Sequence, residues 1–147
     1  MMKKLLLFLA IPLLTISLSK AQSSFELSWN GVPVADTTLI YDHADSSHTM
    51  HLYASVKNVS DKSVNVKVAR TNIDVLADSY NSICFAYFCY GSPTDTSDYI
   101  TIGAGQISDS AGSLKTDYGY TEGAVGQSVV KYSFFNVEDT TDRKSTL

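Results

Sequence analysis

The chain has 147 residues, a formal net charge of −4 and 11% aromatic residues. A chain of this length is sufficient for one domain with a hydrophobic core. The sequence beyond residue 21 contains no run of basic residues. Because nucleic acids and anionic membrane surfaces attract clustered positive charge, neither is expected as a partner.

The first 21 residues have the layout of a secretory signal peptide. Two lysines near the start precede an apolar run over residues 5–18, and small residues lie on both sides of Lys20. The run is shorter than the ~20 residues that cross a membrane, and Pro12 interrupts it. We therefore expect cleavage after Ala21 and a single domain over residues 22–147 with no membrane span. The domain would be in the periplasm, at the cell surface or outside the cell.

Apolar side chains then recur at every second position, which is typical of β-strands. The first strand covers Phe25–Trp29. Asn30-Gly31 follows it and predicts a tight hairpin that leads into residues 32–34. Residues 38–41 form a further short extended run.

The clearest alternation lies between residues 50 and 68. Even-numbered residues are apolar from Met50 to Val56 and again from Val64 to Val68. Residues 58–63, with the sequence NVSDKS, have the composition of a turn. We therefore expect the two strands to pair as an antiparallel hairpin.

Later strands are predicted in the remaining apolar segments, and no sustained helical period occurs. They cover residues 72–76, 83–90, 99–102, 114–118 and 128–137. In the last of these, Val130, Tyr132 and Phe134 share one face. Seven or so short strands separated by turns predict an all-β fold, an antiparallel β-sandwich.

Four segments together resemble secreted immunoglobulin-like (Ig-like) modules of Bacteroidota-type bacteria. They are residues 52–68 (LYASVKNVSDKSVNVKV), 83–89 (ICFAYFC), 100–106 (ITIGAGQ) and 129–142 (VVKYSFFNVEDTTD). The resemblance covers nearly all of the expected domain. It implies an Ig-like sandwich, secretion and a non-catalytic binding or structural role in protein–protein or cell-surface interaction.

Modules of this kind usually close with a final strand, for which residues 143–147 supply only the beginning. We expect this edge to be short or to be completed by another chain. Edge-strand pairing or a homo-oligomer would follow in the second case.

The chain has two cysteines, Cys84 and Cys89. An even number of cysteines in a protein that is expected to be exported favours a disulfide. In an unbroken strand their Cα atoms would lie about 16 Å apart, whereas a disulfide needs about 4.4 to 6.8 Å. We expect the bond, and with it a reversal of the chain within residues 85–88.

Aromatic residues would surround that reversal, and they are the main candidate binding residues: Phe85, Tyr87, Phe88 and Tyr90. One interpretation is that the rings fold back and complete the core. The other is that they stay exposed as an apolar binding patch. A reactive dithiol is not expected, because the residues between the cysteines offer no positive charge to a thiolate.

Two further groups suggest other ligands. Tyr118 and Tyr120 are expected in an exposed loop where their rings could stack on a sugar, although strand propensity alone would also account for them. His43, His48 and His51 are the three histidines of the chain and suggest a zinc site. Against a zinc site, His48 and His51 would face opposite ways on a common strand, so a polar loop is the competing interpretation.

Motifs of catalysis are missing from the sequence. It contains no G-x-S-x-G elbow, H-E-x-x-H pair, phosphate-binding glycine loop or dinucleotide fingerprint. We therefore expect no enzyme and no cofactor, and a protein or a glycan as the partner. The acidic segments at 95–98 and 138–142 lack the spacing of a calcium loop, and Asn58-Val59-Ser60, although a glycosylation sequon, is interpreted as a turn.

Overall fold

The computed structural model describes residues 23–35, 49–108, 113–119 and 126–146. Within these ranges the chain forms eleven β-strands and no helix. The strands are β1 Phe25–Trp29, β2 Val32–Val34, β3 Thr49–Asn58, β4 Val64–Asp74, β5 Tyr80–Asn81, β6 Ile83–Phe85, β7 Phe88–Tyr90, β8 Ile100–Ile102, β9 Leu114–Gly119, β10 Val129–Asn136 and β11 Arg143–Thr146. The extended run expected at residues 38–41 lies outside the described ranges.

The strands form two antiparallel sheets that pack face to face. The large sheet has the order β2-β1-β3-β9-β6-β7, and β5 also pairs with β9. The small sheet has the order β11-β10-β4-β8. This arrangement confirms the all-β, antiparallel Ig-like sandwich. The strands outnumber the seven or so predicted because β2, β5, β6, β7 and β8 are segments of only two or three residues.

The core lies between the sheets and is built by the alternation seen in the sequence. Even-numbered residues Ala54 and Val56 of β3 are buried, as are those of β4 over Val64–Val68. At the centre the rings of Phe85 and Phe134 meet edge to face, with centroids 6.3 Å apart. Each fully buried side chain of this size contributes about 1.5–3 kcal/mol to folding. No part of the described chain forms a helix that is long and apolar enough to span a membrane.

The expected hairpin between β3 and β4 is wrong, because the two strands belong to different sheets. The chain crosses the sandwich after Asn58, whose side chain is fully buried. Its Nδ2 donates hydrogen bonds to the carbonyl oxygens of Lys62, at 2.7 Å, and of Ile102 in the small sheet, at 2.9 Å. Turn composition predicts that the chain changes direction, but not in which sheet the next strand pairs. These bonds also leave the amide nitrogen of Asn58 unavailable for a glycan.

The final strand is short and is supplied by the chain itself. Residues 143–146 of β11 pair with Tyr132–Phe135 of β10. Within the described residues, the first part of β10, Val129–Lys131, therefore has β4 as its only neighbouring strand. Completion of this edge by another chain stays a prediction.

A hydroxyl pair crosses the core between the sheets. The phenol of Tyr132 on β10 is hydrogen bonded to the hydroxyl of Thr116 on β9, and both residues are buried. Burial disfavours the phenolate and raises the pKa of Tyr132 above 10.0, the usual value for tyrosine. The hydrogen bond from Thr116 and the positive charge of Arg70 oppose this shift of the pKa without cancelling it.

Tyr132 is therefore expected to make the protein sensitive to alkali. A folded-state pKa above the unfolded value gives stability that is complete below pH 10.0 and is lost as the pH rises through the folded-state pKa. We expect the free energy of unfolding in urea to fall above that pH, and Tyr132→Phe to make the decline shallower. At pH 8 the same variant should cost about 1–3 kcal/mol, because Thr116 loses its buried partner. Tyr53→Phe, at an exposed tyrosine, is the control. If the free energy of unfolding fell equally steeply with pH in the wild type and in Tyr132→Phe, Tyr132 would not be the group that makes the protein sensitive to alkali.

Candidate functional site

A two-residue hairpin forms one edge of the large sheet. Strands β6 and β7 pair with Phe85 opposite Phe88, and Ala86 and Tyr87 form the turn between them. The φ angles of the two turn residues are 54° and 72°. Positive values at both positions are the pattern of a type I′ turn, which matches the twist of the flanking strands. The chain reversal expected within residues 85–88 is thus present.

Cys84 and Cys89 lie directly opposite each other across this hairpin. Their sulfur atoms are 1.98 Å apart, which is disulfide-bonding distance, and their Cα atoms are 3.9 Å apart. Phe85 and Phe88, next to the two-residue turn, form a hydrogen-bonded pair, so Cys84 and Cys89 form a non-hydrogen-bonded pair. Cα atoms approach most closely in pairs of the second kind. The bond closes a short loop and adds about 2 kcal/mol at most, so it mainly holds the shape of the hairpin.

The aromatic side chains of the hairpin point to different environments. Phe85 is buried and Tyr90 is partly buried against the core. Tyr87 and Phe88 are 74% and 63% exposed. Two of the rings thus pack on the core and two stay exposed, and the binding role of the exposed rings stays a prediction. We call the exposed pair, Tyr87 and Phe88, the aromatic tip.

Tyr90 connects the hairpin to the loop that follows it. Its phenol oxygen lies 3.2 Å from Oδ2 of Asp98, and the backbone N–H of Asp98 donates to the same phenol at 3.1 Å. The rings of Phe88 and Tyr90 contact each other with centroids 6.5 Å apart. One side of the aromatic tip therefore rests on a ring that is itself fixed in place.

The other hairpin of the large sheet provides an internal comparison. Strands β1 and β2, at the opposite edge, are joined by Asn30 and Gly31, with φ angles of 47° and 80°. This confirms the hairpin predicted there, and these are the residues that a type I′ turn favours. Ala86 and Tyr87 adopt the same conformation at a cost of about 1–2 kcal/mol for each left-handed L-residue. Strained residues of this kind cluster at functional sites.

A buried arginine binds the segments on either side of the hairpin and joins the two sheets. Arg70 is on β4 of the small sheet and is 4% exposed. Its Nη1 donates to the carbonyl oxygen of Asn81 in the large sheet at 2.6 Å. Its Nη2 donates to the carbonyl oxygen of Thr94 at 2.9 Å and to Oδ1 of Asp95 at 3.0 Å. The guanidinium therefore fixes both sheets and the loop that follows β7.

Sequence reasoning missed Arg70, although a signal was present. Val64, Val66 and Val68 occupy the inward positions of β4, and Arg70 is the next residue in that series. Its formal charge favours exposure, whereas its place in the alternation favours burial. A charge on the core face of a strand indicates a buried, fully paired group.

The expected position of Tyr118 is wrong. It is on β9 and is 8% exposed, because Leu114, Thr116 and Tyr118 share the inner face of that strand. Its phenol oxygen is hydrogen bonded to the hydroxyl of Ser128. Tyr120, the second tyrosine of that prediction, lies outside the described residues.

His51 is exposed on the outer face of the large sheet. Its Nδ1 lies 2.6 Å from Oδ1 of Asp117, and Nζ of Lys115 lies 3.5 Å from the same oxygen. His43 and His48 lie outside the described residues. Among the residues that are described, no group of three or more His, Cys, Asp or Glu side chains is arranged to hold a metal ion. The zinc hypothesis therefore stays a prediction.

The acidic segments are tied into the fold by hydrogen bonds within the chain. Asp142 accepts a hydrogen bond from the backbone N–H of Ser24 at 3.1 Å, which joins the two ends of the described chain. Asp139 accepts bonds from the hydroxyl and the backbone N–H of Thr141, and they lower its pKa. These contacts within residues 138–142 are those of hydrogen-bonded turns.

Comparisons with known proteins support the fold and leave the ligand open. No protein family model matches the chain, and no curated protein sequence matches it. A solved structure titled "Structure of the N-terminal domain of PorA" has a TM-score of 0.62 and 14% identity, and covers 83% of this chain and 92% of that one. The ASH/PapD-like domain 7 of human CEP192 has a TM-score of 0.38 and 6% identity, and the match covers 84% of this chain and 82% of the CEP192 domain. At these identities the PorA domain supports the fold alone, and the second similarity is too low to add to it.

Removal of Arg70 is expected to destabilise the whole sandwich. Arg70→Ala leaves the carbonyl oxygens of Asn81 and Thr94 without their donor, which should cost about 2–4 kcal/mol in urea unfolding. Lys67→Ala, at a half-buried position on the opposite face of the same strand, should change stability by less than about 0.5 kcal/mol. Similar losses in the two variants would show that Arg70 does not tie the sheets.

Relief of the turn strain is expected to stabilise the protein. Tyr87→Gly removes the cost of a positive φ at an exposed position, and the gain exceeds the entropy cost of glycine by about 0.5–1 kcal/mol. Tyr87→Ala is the matched control, because it truncates the side chain but keeps the strain. Thermal unfolding should show a higher midpoint for the glycine variant only. A lower midpoint for Tyr87→Gly than for Tyr87→Ala would contradict the strained turn.

Proposed function

We propose that this protein is a secreted, non-enzymatic Ig-like module, formed by residues 22–147, that binds a protein in the cell envelope or outside the cell. The observation that carries the proposal is the aromatic tip. Tyr87 and Phe88 are exposed on a turn whose residues are unfavourable for its conformation and whose strands are braced by a disulfide. Exposed aromatic anchors on a rigid support are typical of protein interfaces.

Export is supported by two independent features. The first 21 residues have the layout of a signal peptide, and Cys84 and Cys89 lie at disulfide-bonding distance. Disulfides persist in oxidising compartments and are rare in the cytosol. The similarity in fold to the PorA N-terminal domain supports a β-rich module of the kind that the sequence resembles.

A protein ligand is favoured over a glycan. The glycan hypothesis relied on Tyr118 and Tyr120 in one exposed loop, and Tyr118 is buried. The aromatic tip instead presents two exposed rings at a sheet edge, where a partner backbone can also approach. A glycan array with the purified protein would reveal sugar binding directly.

Site-specific photo-crosslinking in the producing cells tests the proposal. A benzophenone amino acid replaces Phe88 in one variant and Val32 in another, because Val32 is 64% exposed at the opposite edge of the same sheet. We expect a discrete crosslinked protein band from position 88 and none from position 32. In the Phe88 variant, the further change Tyr87→Ser should weaken that band at an unchanged protein level. Equal crosslinking from both positions, or none from position 88, would contradict a binding role for the aromatic tip.

A further inference from the structure

We propose that the bound partner supplies an extended, cationic segment that pairs with β7 as an additional strand of the large sheet. This inference rests on the proposed function, because it specifies the partner of the same hairpin. It is supported by the backbone geometry of β7, by the differences among the edge strands and by the distribution of charge.

The backbone of β7 has hydrogen-bonding groups available for another strand. Strand β7 is the last strand at its end of the large sheet. Because Phe85 and Phe88 form the hydrogen-bonded pair next to the turn, Cys89 belongs to a non-hydrogen-bonded pair with Cys84. The N–H and C=O of Cys89 therefore point away from β6, into the space where a further strand would lie. Peptides that add to a sheet edge use groups of this kind.

The edge at β7 lacks the protection that two other edges of this protein have. Proteins block open edges with proline or with lysine and arginine side chains. Strand β2, at the opposite edge of the large sheet and equally short, contains Pro33. Strand β11, at an edge of the small sheet, contains Arg143 and Lys144. Strand β7, with the sequence Phe-Cys-Tyr, has no such residue, and β8, with the sequence Ile-Thr-Ile at the other edge of the small sheet, has none either.

The charge of the loop after β7 is negative. From Gly91 to Tyr99 the sequence contains two aspartates and no lysine, arginine or histidine. Asp98 contacts Tyr90 of β7, whereas Asp95, whose side chain is 67% exposed, is paired with the guanidinium of the buried Arg70. Lys115 lies opposite Cys84 on β9, and its ammonium group contacts the carboxylate of Asp117.

This arrangement defines the chemistry of the segment that fits. Lysine or arginine side chains would be attracted to Asp98 beside β7. Alternate apolar side chains would pack on Phe88, which is 63% exposed beside the backbone groups of Cys89. An extended segment with cationic and apolar residues in alternation satisfies both conditions.

A peptide selection tests the inference. The purified wild-type protein is used to select from a phage library of random dodecapeptides, and the affinities of enriched peptides are then measured by fluorescence anisotropy. Cys84→Ser/Cys89→Ser gives a reference without the disulfide, and Cys84→Ser/Cys89→Pro additionally removes the outward N–H. We expect enriched peptides with alternating cationic and apolar residues, and an affinity about tenfold lower for the proline variant than for the reference, as for one lost hydrogen bond. Asp98→Asn should weaken the same peptides about threefold, in a salt-dependent manner.

The outcomes separate this inference from the proposed function. Enriched peptides without an excess of lysine and arginine, or equal affinities for the serine and proline variants, would overturn strand addition. If Tyr87→Ser/Phe88→Ser still abolished binding of those peptides, the aromatic tip would stand as the binding site without the added strand. A selection that enriches no peptide would also overturn strand addition, while the crosslinking at position 88 decides the proposed function independently. Circular dichroism of each variant shows whether it is folded.

Discussion

The buried guanidinium of Arg70 is the constraint on which the arrangement of this sandwich depends. A charge between two sheets is stable only when its donors are paired, because desolvation of an unpaired charge costs far more than a neutral hydrogen bond returns. Here the donors bind the carbonyl oxygens of Asn81 and Thr94 and the carboxylate of Asp95. Asn58 makes a similar connection at another crossing between the sheets, with bonds to Lys62 and to the small sheet. Hydrophobic burial drives the sheets together, and these directional bonds determine how they are placed.

The same constraint explains how exposed aromatic residues are kept in position. The loop after β7 is fixed by Arg70 on one side and by the contact between Tyr90 and Asp98 on the other. Phe85 and the turn residue Ala86 anchor the hairpin in the core, so that the side chain of Tyr87 can be exposed without loosening the base of the hairpin. An exposed ring and a left-handed turn both reduce stability. The exposed rings and the left-handed turn therefore lower stability at the place where binding is proposed, and the disulfide lies beside them.

The sequence predicts the strands better than it predicts their connections. Alternation correctly assigned the inner faces of β3, β4 and β10, because every second side chain of a half-buried strand faces the core. The error at the β3–β4 connection arose because residues 58–63 are compatible with a hairpin and with a crossing between sheets. The burial of Asn58, which distinguishes the two, depends on Ile102, 44 residues away. Long-range bonds of this kind leave no local pattern in the chain.

The candidate site could be predicted only in part. The spacing of Cys84 and Cys89 required a reversal, and the reversal placed four aromatic residues around it. Which rings would be exposed depended on the register of β6 on β9 and on the position of β7 at an edge, which the sequence does not show. Tyr118 is the counterexample, because it was expected in an exposed loop although it also ends the strand predicted over residues 114–118, and on β9 it lies on the inner face.

A disulfide-braced hairpin holds the rings of Tyr87 and Phe88 out of the core. A nuclear Overhauser spectrum of isotope-labelled protein, prepared without reductant, tests it most directly. We expect a strong contact between the Hα protons of Cys84 and Cys89, and contacts from the ring of Phe85, but not of Tyr87, to buried residues such as Phe134. Absence of the contact between the two cysteines, or a ring of Tyr87 in contact with core valines, would contradict this arrangement of the hairpin.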